Sequence, residues 1–225
     1  IIIPPNITII RNNTFSKCLK LEKIEFPKNS QIKTIGKDSF SNSGIKNIVI
    51  PANVTNIMDN AFLNCKKLEY VEFEPNSKLK SIGKYAFSST TITKILIESN
   101  VTVINNHAFD NCMQLKIVQF SENSNLQLID EYAFHKTMIE EIEIPSHIKI
   151  ISQYSFSECE NLKSITFTQD SELKIIDKNA FNLSGLESIF IPASVTDLVE
   201  GWCMNTKHLF NIVIDANNEC YKYIE

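Results

Sequence analysis

The chain has little of what marks an open or collagen-like sequence: only five glycines and seven prolines among 225 residues. That scarcity excludes the low-complexity and triple-helical classes. No apolar run approaches the ~18 residues from which a membrane-spanning helix is read, so no membrane insertion is expected of it. Positive charge is not in excess either: 22 Lys and Arg stand against 26 Asp and Glu, for a net charge of −4. The electrostatic footprint of a nucleic-acid partner is therefore missing. The sequence contains no glycine-rich phosphate loop, no His-Glu-x-x-His and no Gly-x-Ser-x-Gly. The four histidines, His107, His135, His147 and His208, stand at non-equivalent positions without ligand spacing, so neither metal nor cofactor is expected. His107 precedes Ala108-Phe109 where other units carry Asn60 or Tyr85, and reads as a solvated position.

What the chain has in quantity is repetition. Phe15, Phe40, Phe62, Phe87, Phe109, Phe134, Phe156 and Phe181 follow one another at intervals alternating between 25 and 22 residues. Cys18, Cys65, Cys112 and Cys159 recur every 47 residues. A fixed period in this range is the signature of stacked units, a solenoid, and not of a single closed core.

Each unit has three parts. The first is a run such as Leu68-x-x-Val71-x-Phe73 or Ile92-x-x-Ile95-x-Ile97, whose last two apolar positions alternate with polar ones. That is the period-2 pattern of a strand with one buried face. Nine full runs and one partial run are expected to stack in parallel. The second part is a turn, Asn76-Ser77 or Pro51…Val54-Thr55 in type, leading to an apolar pair such as Leu79 and Ile82 that could form a second, short strand. The third, typified by Asn60-Ala61-Phe62, has room for about one helical turn and carries the interior Phe.

These runs resemble the strand consensus of leucine-rich repeats. The added stretches, Asn60-Ala61-Phe62-Leu63-Asn64-Cys65-Lys66-Lys67-Leu68 and Ile50-Pro51-Ala52-Asn53-Val54-Thr55-Asn56-Ile57, look like the BspA-type branch of that family. The resemblance covers the whole chain. It implies an α/β leucine-rich repeat solenoid, right-handed, with a parallel concave β-sheet and turns or helical turns on the other faces. It also implies a surface or secreted protein of a bacterium or parasitic protist, associated with adhesion to host cells, matrix proteins or other microbes.

At the two ends, Ile1-Ile2-Ile3-Pro4 matches the second half of a unit and Cys220-Tyr221-Lys222-Tyr223 stops partway into another. Residues 1–225 are thus expected to be one array, a segment of a longer repeat protein cut within a repeat at both ends.

The cysteine column raises metal and redox readings, and spacing answers both. Parallel strands lie ~4.8 Å apart, which separates cysteines two units apart by roughly 9.5 Å. A disulfide needs Cα atoms within about 7 Å, and a shared zinc needs the sulfurs closer still. The same column holds Ser43, Thr90, Thr137 and Ser184 in the intervening units. A small side chain with a weak donor fits all of them, bonding a turn carbonyl. All four cysteines are expected to be buried and reduced. Cys203, at the Phe position of its unit, and Cys220 fall outside the column. They read either as small apolar replacements or as a mutual disulfide.

Asn6, Asn12, Asn53, Asn100 and Asn182 head Asn-x-Ser/Thr sequons. Three of them are 47 residues apart because Asn-Val/Ile-Thr is the repeat's own turn. In a protein secreted by a eukaryote the same sites become glycan acceptors.

The outward positions of the main strands carry the functional question. Tyr70, Leu96, Ile117 and Phe190 stand there with Glu72 and Lys94 among them. β-branched and aromatic residues suit strands anywhere; exposed apolar groups amid charges also make a contact surface for a protein partner. The reading that follows is a non-enzymatic recognition module binding a host-cell or matrix protein. A stiff stalk presenting another domain is the alternative.

Overall fold

The computed structural model describes residues 1–221 and shows a parallel β-solenoid of about nine turns. Lys222 and Tyr223, in the expected further unit, lie outside the described residues. From Asn47 on, each turn contributes one long and one short strand. Among the described residues the long strands are four residues each: Asn47–Ile50, Tyr70–Phe73, Lys94–Ile97, Ile117–Phe120, Glu141–Ile144, Ser164–Phe167, Ser188–Ile191 and Asn211–Ile214. In all but the last, the second residue is buried and the first and third face outward, as the period-2 pattern requires. The earlier run, Leu21 to Phe26, pairs only through the isolated bridges Ile2 to Glu25 and Lys23 to Asn47. Pro4 and Pro5, which follow Ile3 in the neighbouring run, have no amide to donate and limit the ladder there.

The short strands run from Ile9–Ile10 and Thr34–Ile35 to Asp197–Leu198, two residues each, and form one unbroken nine-stranded parallel sheet. The long strands do not. They divide into the pair at 47–50 and 70–73, the pair at 94–97 and 117–120, and a group of four beginning at Glu141. The breaks follow the two alternating repeat lengths. Successive long strands start 23 residues apart (Asn47 to Tyr70) and then 24 (Tyr70 to Lys94), and the ladder fails or thins at the 24-residue steps.

The interior between the two sheets is filled by the phenylalanine column. Phe40 to Phe181 are fully buried, with neighbouring ring centroids 5.1–5.7 Å apart and planes within 13° of parallel. Such offset stacking adds roughly 0.5–1.5 kcal/mol per pair beyond the area buried. The column ends on Trp202, edge-on to Phe181 at 6.0 Å. Trp202 occupies the unit's Ala position, since the Phe181 amide donates to its carbonyl as Phe156 does to Ala180. Cys203 takes the Phe position, and a half-buried thiol there leaves the room that the indole fills.

The expected helical turns, and with them the α/β class, are not what the chain forms: among the described residues there is no helix. The Phe segment is a series of overlapping β-turns. In one unit, Ala61, Leu63 and Cys65 donate to the carbonyls three residues back, of Met58, Asn60 and Phe62. The alternate amides of Asn60, Phe62 and Asn64 leave the segment and donate to Lys84, Ala86 and Ser88 of the next unit at 2.8–2.9 Å. A helix would send every amide back to its own segment. It is also blocked by a residue at positive φ on each side of the Phe, such as Asn60 at 57° and Asn64 at 56°. Asn tolerates that region better than most residues, and Gly201 serves there at φ 80°.

Cys65, Cys112 and Cys159 are buried, and each Sγ donates to the Phe carbonyl of the preceding unit, of Phe40, Phe87 and Phe134, at 3.0–3.1 Å. Each also touches the hydroxyl of Ser43, Thr90 or Thr137 in the same column at 3.2–3.5 Å. Thr206, 47 residues after Cys159, makes the same bond to the Phe181 carbonyl at 3.0 Å. Cys18 departs from expectation and is exposed. Lys17, Leu19 and Lys20 around it are exposed as well, so this turn is not packed over as the later ones are.

Candidate functional site

The outward residues of the long strands form one candidate face. Tyr70 (49% exposed), Leu96 (43%), Ile117 (50%) and Phe190 (43%) stand clear of the core, between inward neighbours such as Val71, Ile95 and Ile189 that are all but fully covered. Lys94 pairs in register with Ile117, and Leu96 with Gln119, which places Leu96 and Ile117 diagonally on one ladder. Tyr70 and Glu72 belong to the neighbouring ladder, opposite Asn47 and Val49. The six residues thus share a face but not one continuous sheet, because the ladder stops between Phe73 and Lys94. Phe190 lies further along, opposite Val213.

The sequons lie elsewhere. Asn6 and Asn12 are exposed, and the Asn12 side-chain oxygen accepts from the Lys37 amide at 3.0 Å. The amides of Asn53 and Asn100 donate to the carbonyls of Ser30 and Ser77, at 3.2 and 2.7 Å, which ties each turn to the preceding unit. Asn182 hydrogen bonds with Ser157 and Asn205. Cys203 and Cys220 are both free thiols.

A second cluster, on the turn side, was not anticipated. Tyr85, His107, Tyr132 and Tyr154 take the positive-φ position two residues before the Phe, at 54–57°, where Asn13, Asn60 and Asn179 stand in other units. A bulky ring at such φ is an outlier that other interactions must offset. Here the rings stack in sequence, with centroids 4.4, 4.6 and 4.7 Å apart. Far from being solvated, His107 lies between two tyrosines, with Nδ1 3.0 Å from Asp110. His135 meets the other Asp110 oxygen at 2.8 Å and Glu158 at 3.2 Å. Stacking brings together residues 22 or 25 apart; their linear trace is the replacement of Asn by aromatics in one column. Among the described residues no group of three or more His, Cys, Asp or Glu is arranged to hold a metal ion.

Burial alone would raise the Asp110 carboxyl, but hydrogen bonds from His135 and His107, with their charge, hold it below its ordinary 3.8. A carboxyl depressed in the folded state contributes stability that is complete above 3.8 and lost as pH falls through the folded value. Asp110→Asn is therefore expected to lower stability by about 1–3 kcal/mol at pH 5. The deficit should shrink as pH is taken below 3.8. Urea titrations across that range check it, and a deficit independent of pH would assign Asp110 a purely steric role.

A stacked parallel coil with a packed interior and rows of equivalent side chains defines the class: a repeat protein with an extended surface. The family model of the BspA type leucine rich repeat region matches in six copies, over residues 1–116 and 80–209, and the chain belongs to that family. Three solved structures share the fold. A leucine-rich repeat protein from Bacteroides ovatus ATCC 8483 is 24% identical with a TM-score of 0.66, the match covering 95% of this chain and 56% of that one. The pneumococcal vaccine antigen PcpA is 21% identical with a TM-score of 0.61, over 96% of this chain and 62% of that one. A leucine rich cell surface protein from Faecalibacterium prausnitzii A2-165 is 25% identical with a TM-score of 0.52, over 82% and 65%. The chain thus spans less than two thirds of the length of each. No curated protein matches it in sequence. Among the described residues no helix is long and apolar enough to cross a membrane.

Proposed function

We propose that the chain is a non-enzymatic recognition module of a cell-surface or secreted protein, which binds a host-cell or matrix protein through the long-strand face. One observation carries this reading: Tyr70, Leu96, Ile117 and Phe190 are 43–50% exposed on strands whose inward residues are buried. Exposed apolar groups rimmed by charge, here Glu72 and Lys94, have the composition of a contact patch. The family supports an interaction role, and the vaccine-antigen and cell-surface descriptions of two fold relatives support surface display. The winding is taken as right-handed, the hand that parallel strand crossovers adopt almost without exception, with the long strands on the concave side.

The double substitution Tyr70→Ala with Ile117→Ser is expected to abolish saturable binding to host cells or matrix proteins while the circular dichroism spectrum is unchanged. Neither side chain is part of the core. Lys37→Glu, on the turn side, should leave binding intact. Normal binding by the double variant would place the site elsewhere, and no saturable binding by the unsubstituted chain would favour a stalk.

A further inference from the structure

The long-strand ladder opens at three equivalent places, and each opening is a notch in the surface. The first lies between Tyr70–Phe73 and Lys94–Ile97, and the second between Ile117–Phe120 and Glu141–Ile144. The third lies between Ser164–Phe167 and Ser188–Ile191, where only the first two residues of each strand pair. Their volumes are 290, 660 and 350 Å³. All three follow a strand that ends in Phe, and Phe73, Phe120 and Phe167 remain half-buried at the notch walls. The alternate strands end in Ile50, Ile97, Ile144 and Ile191, which are fully buried, and no such opening follows them.

The notches share a charge as well as a shape. Glu72 and Glu98 line the first, Glu122 and Glu143 the second, and Asp215 the third, whereas Lys94 is the single Lys or Arg among their lining residues. Some glutamates elsewhere have a neighbouring lysine, as Glu22 has Lys46 at 2.8 Å and Glu187 has Lys163 at 3.5 Å. Among the described residues Glu72, Glu98, Glu122 and Glu143 form no ion pair. The hydroxyl oxygens of Thr168 and Ser194, at the third notch, are buried without a hydrogen-bond partner. An aromatic wall beneath unpaired carboxylates is a receptor for a cationic side chain, whose stem packs on the ring while its head meets the acids.

The interval between notches selects the backbone that carries those cations. Units stack 5.1–5.7 Å apart along the Phe column, so notches two units apart recur at about 10–11 Å. In a β-strand the third residue along lies at about this distance but points to the opposite face. In a polyproline II helix three residues complete one turn in about 9.3 Å, and residues i and i+3 share a face. We propose that the three notches form a register for an extended polyproline II segment of a protein partner with Lys or Arg at every third residue, one basic side chain per notch. This deepens the recognition role proposed for the long-strand face and rests on it.

The test uses the full chain and synthetic peptides, read by fluorescence anisotropy at two salt concentrations. A peptide of four Lys-Pro-Pro repeats is expected to bind, more weakly at higher salt. Its Glu-Pro-Pro counterpart should not bind, and a peptide of equal composition with its lysines at two- and four-residue intervals should bind at least tenfold more weakly. Glu122→Gln with Glu143→Gln should cost about tenfold in affinity, and the control pair Glu131→Gln with Glu160→Gln, of equal charge change, almost nothing. Equal binding of the two lysine peptides, or equal losses in the two variant pairs, would reduce the effect to diffuse attraction and overturn the register. If Tyr70→Ala with Ile117→Ser abolishes binding to a host protein while Lys-Pro-Pro does not bind at all, the face is a recognition surface and only the register is wrong. If neither binds, both readings fall.

Discussion

Phe109→Ala is expected to lower the unfolding free energy by ~3–5 kcal/mol, the range for emptying a fully buried aromatic site. Phe109 has no exposed surface and lies between Phe87 at 5.4 Å and Phe134 at 5.3 Å. Its amide donates to Ala133 at 2.8 Å, so the backbone that frames the ring also joins two units. Alanine removes both stacking contacts at once and opens a void that the turns cannot close, since their alternate amides are committed to the next unit. A solenoid is coupled through nearest neighbours, so the loss weakens the interfaces on both sides of that unit. Urea denaturation should show a lower midpoint, with amide exchange rising first in the adjoining turns. A surface substitution such as Glu143→Gln should stay within about 0.5 kcal/mol. An unchanged midpoint for Phe109→Ala would mean that the Phe column is not what holds the coil together.

The second large effect concerns the thiols. Burial is the main cause that pushes Cys112 from 9.0 to about 12, with the contacts to Thr90 opposing it, and Cys159 is likewise raised to about 11. At pH 8 the thiolate, the reactive form, is then about a thousandfold scarcer for Cys112 than for an unshifted thiol. Occlusion by the Phe87 carbonyl adds to that protection. A thiol reagent in native buffer should therefore modify Cys18 and Cys220, with Cys203 slower. Cys65, Cys112 and Cys159 should react only after denaturant is added. Peptide mass mapping distinguishes the sites, and labelling of Cys112 at the rate of Cys18 would refute the buried column.

The one-dimensional pattern settled a good deal. The spacing of Phe62, Phe87 and Phe109 identifies a stacked coil, because only stacked units bury the same position in every repeat. The alternation in Ile48-Val49-Ile50 tells which side chains face in, and the interchange of Cys65 with Ser43 and Thr90 tells that the column needs a small side chain with a weak donor. Each of these is a property of a residue within its own unit, repeated until it is unmistakable.

Other features arise between units, and the sequence could not show them. Helical turns were expected around Asn60-Ala61-Phe62, but the direction taken by alternate amides depends on the neighbour that receives them. The short strands form the continuous sheet while the long strands part after Phe73 and Phe120, because units of two lengths cannot keep both sides in register. The meeting of His107, His135 and Asp110 requires residues 25 apart to be superposed by the coil. Periodicity determines which residues face the interior and which face water. The lateral fit of each unit on the next decides where the surface closes, where it opens, and which charges remain without a partner.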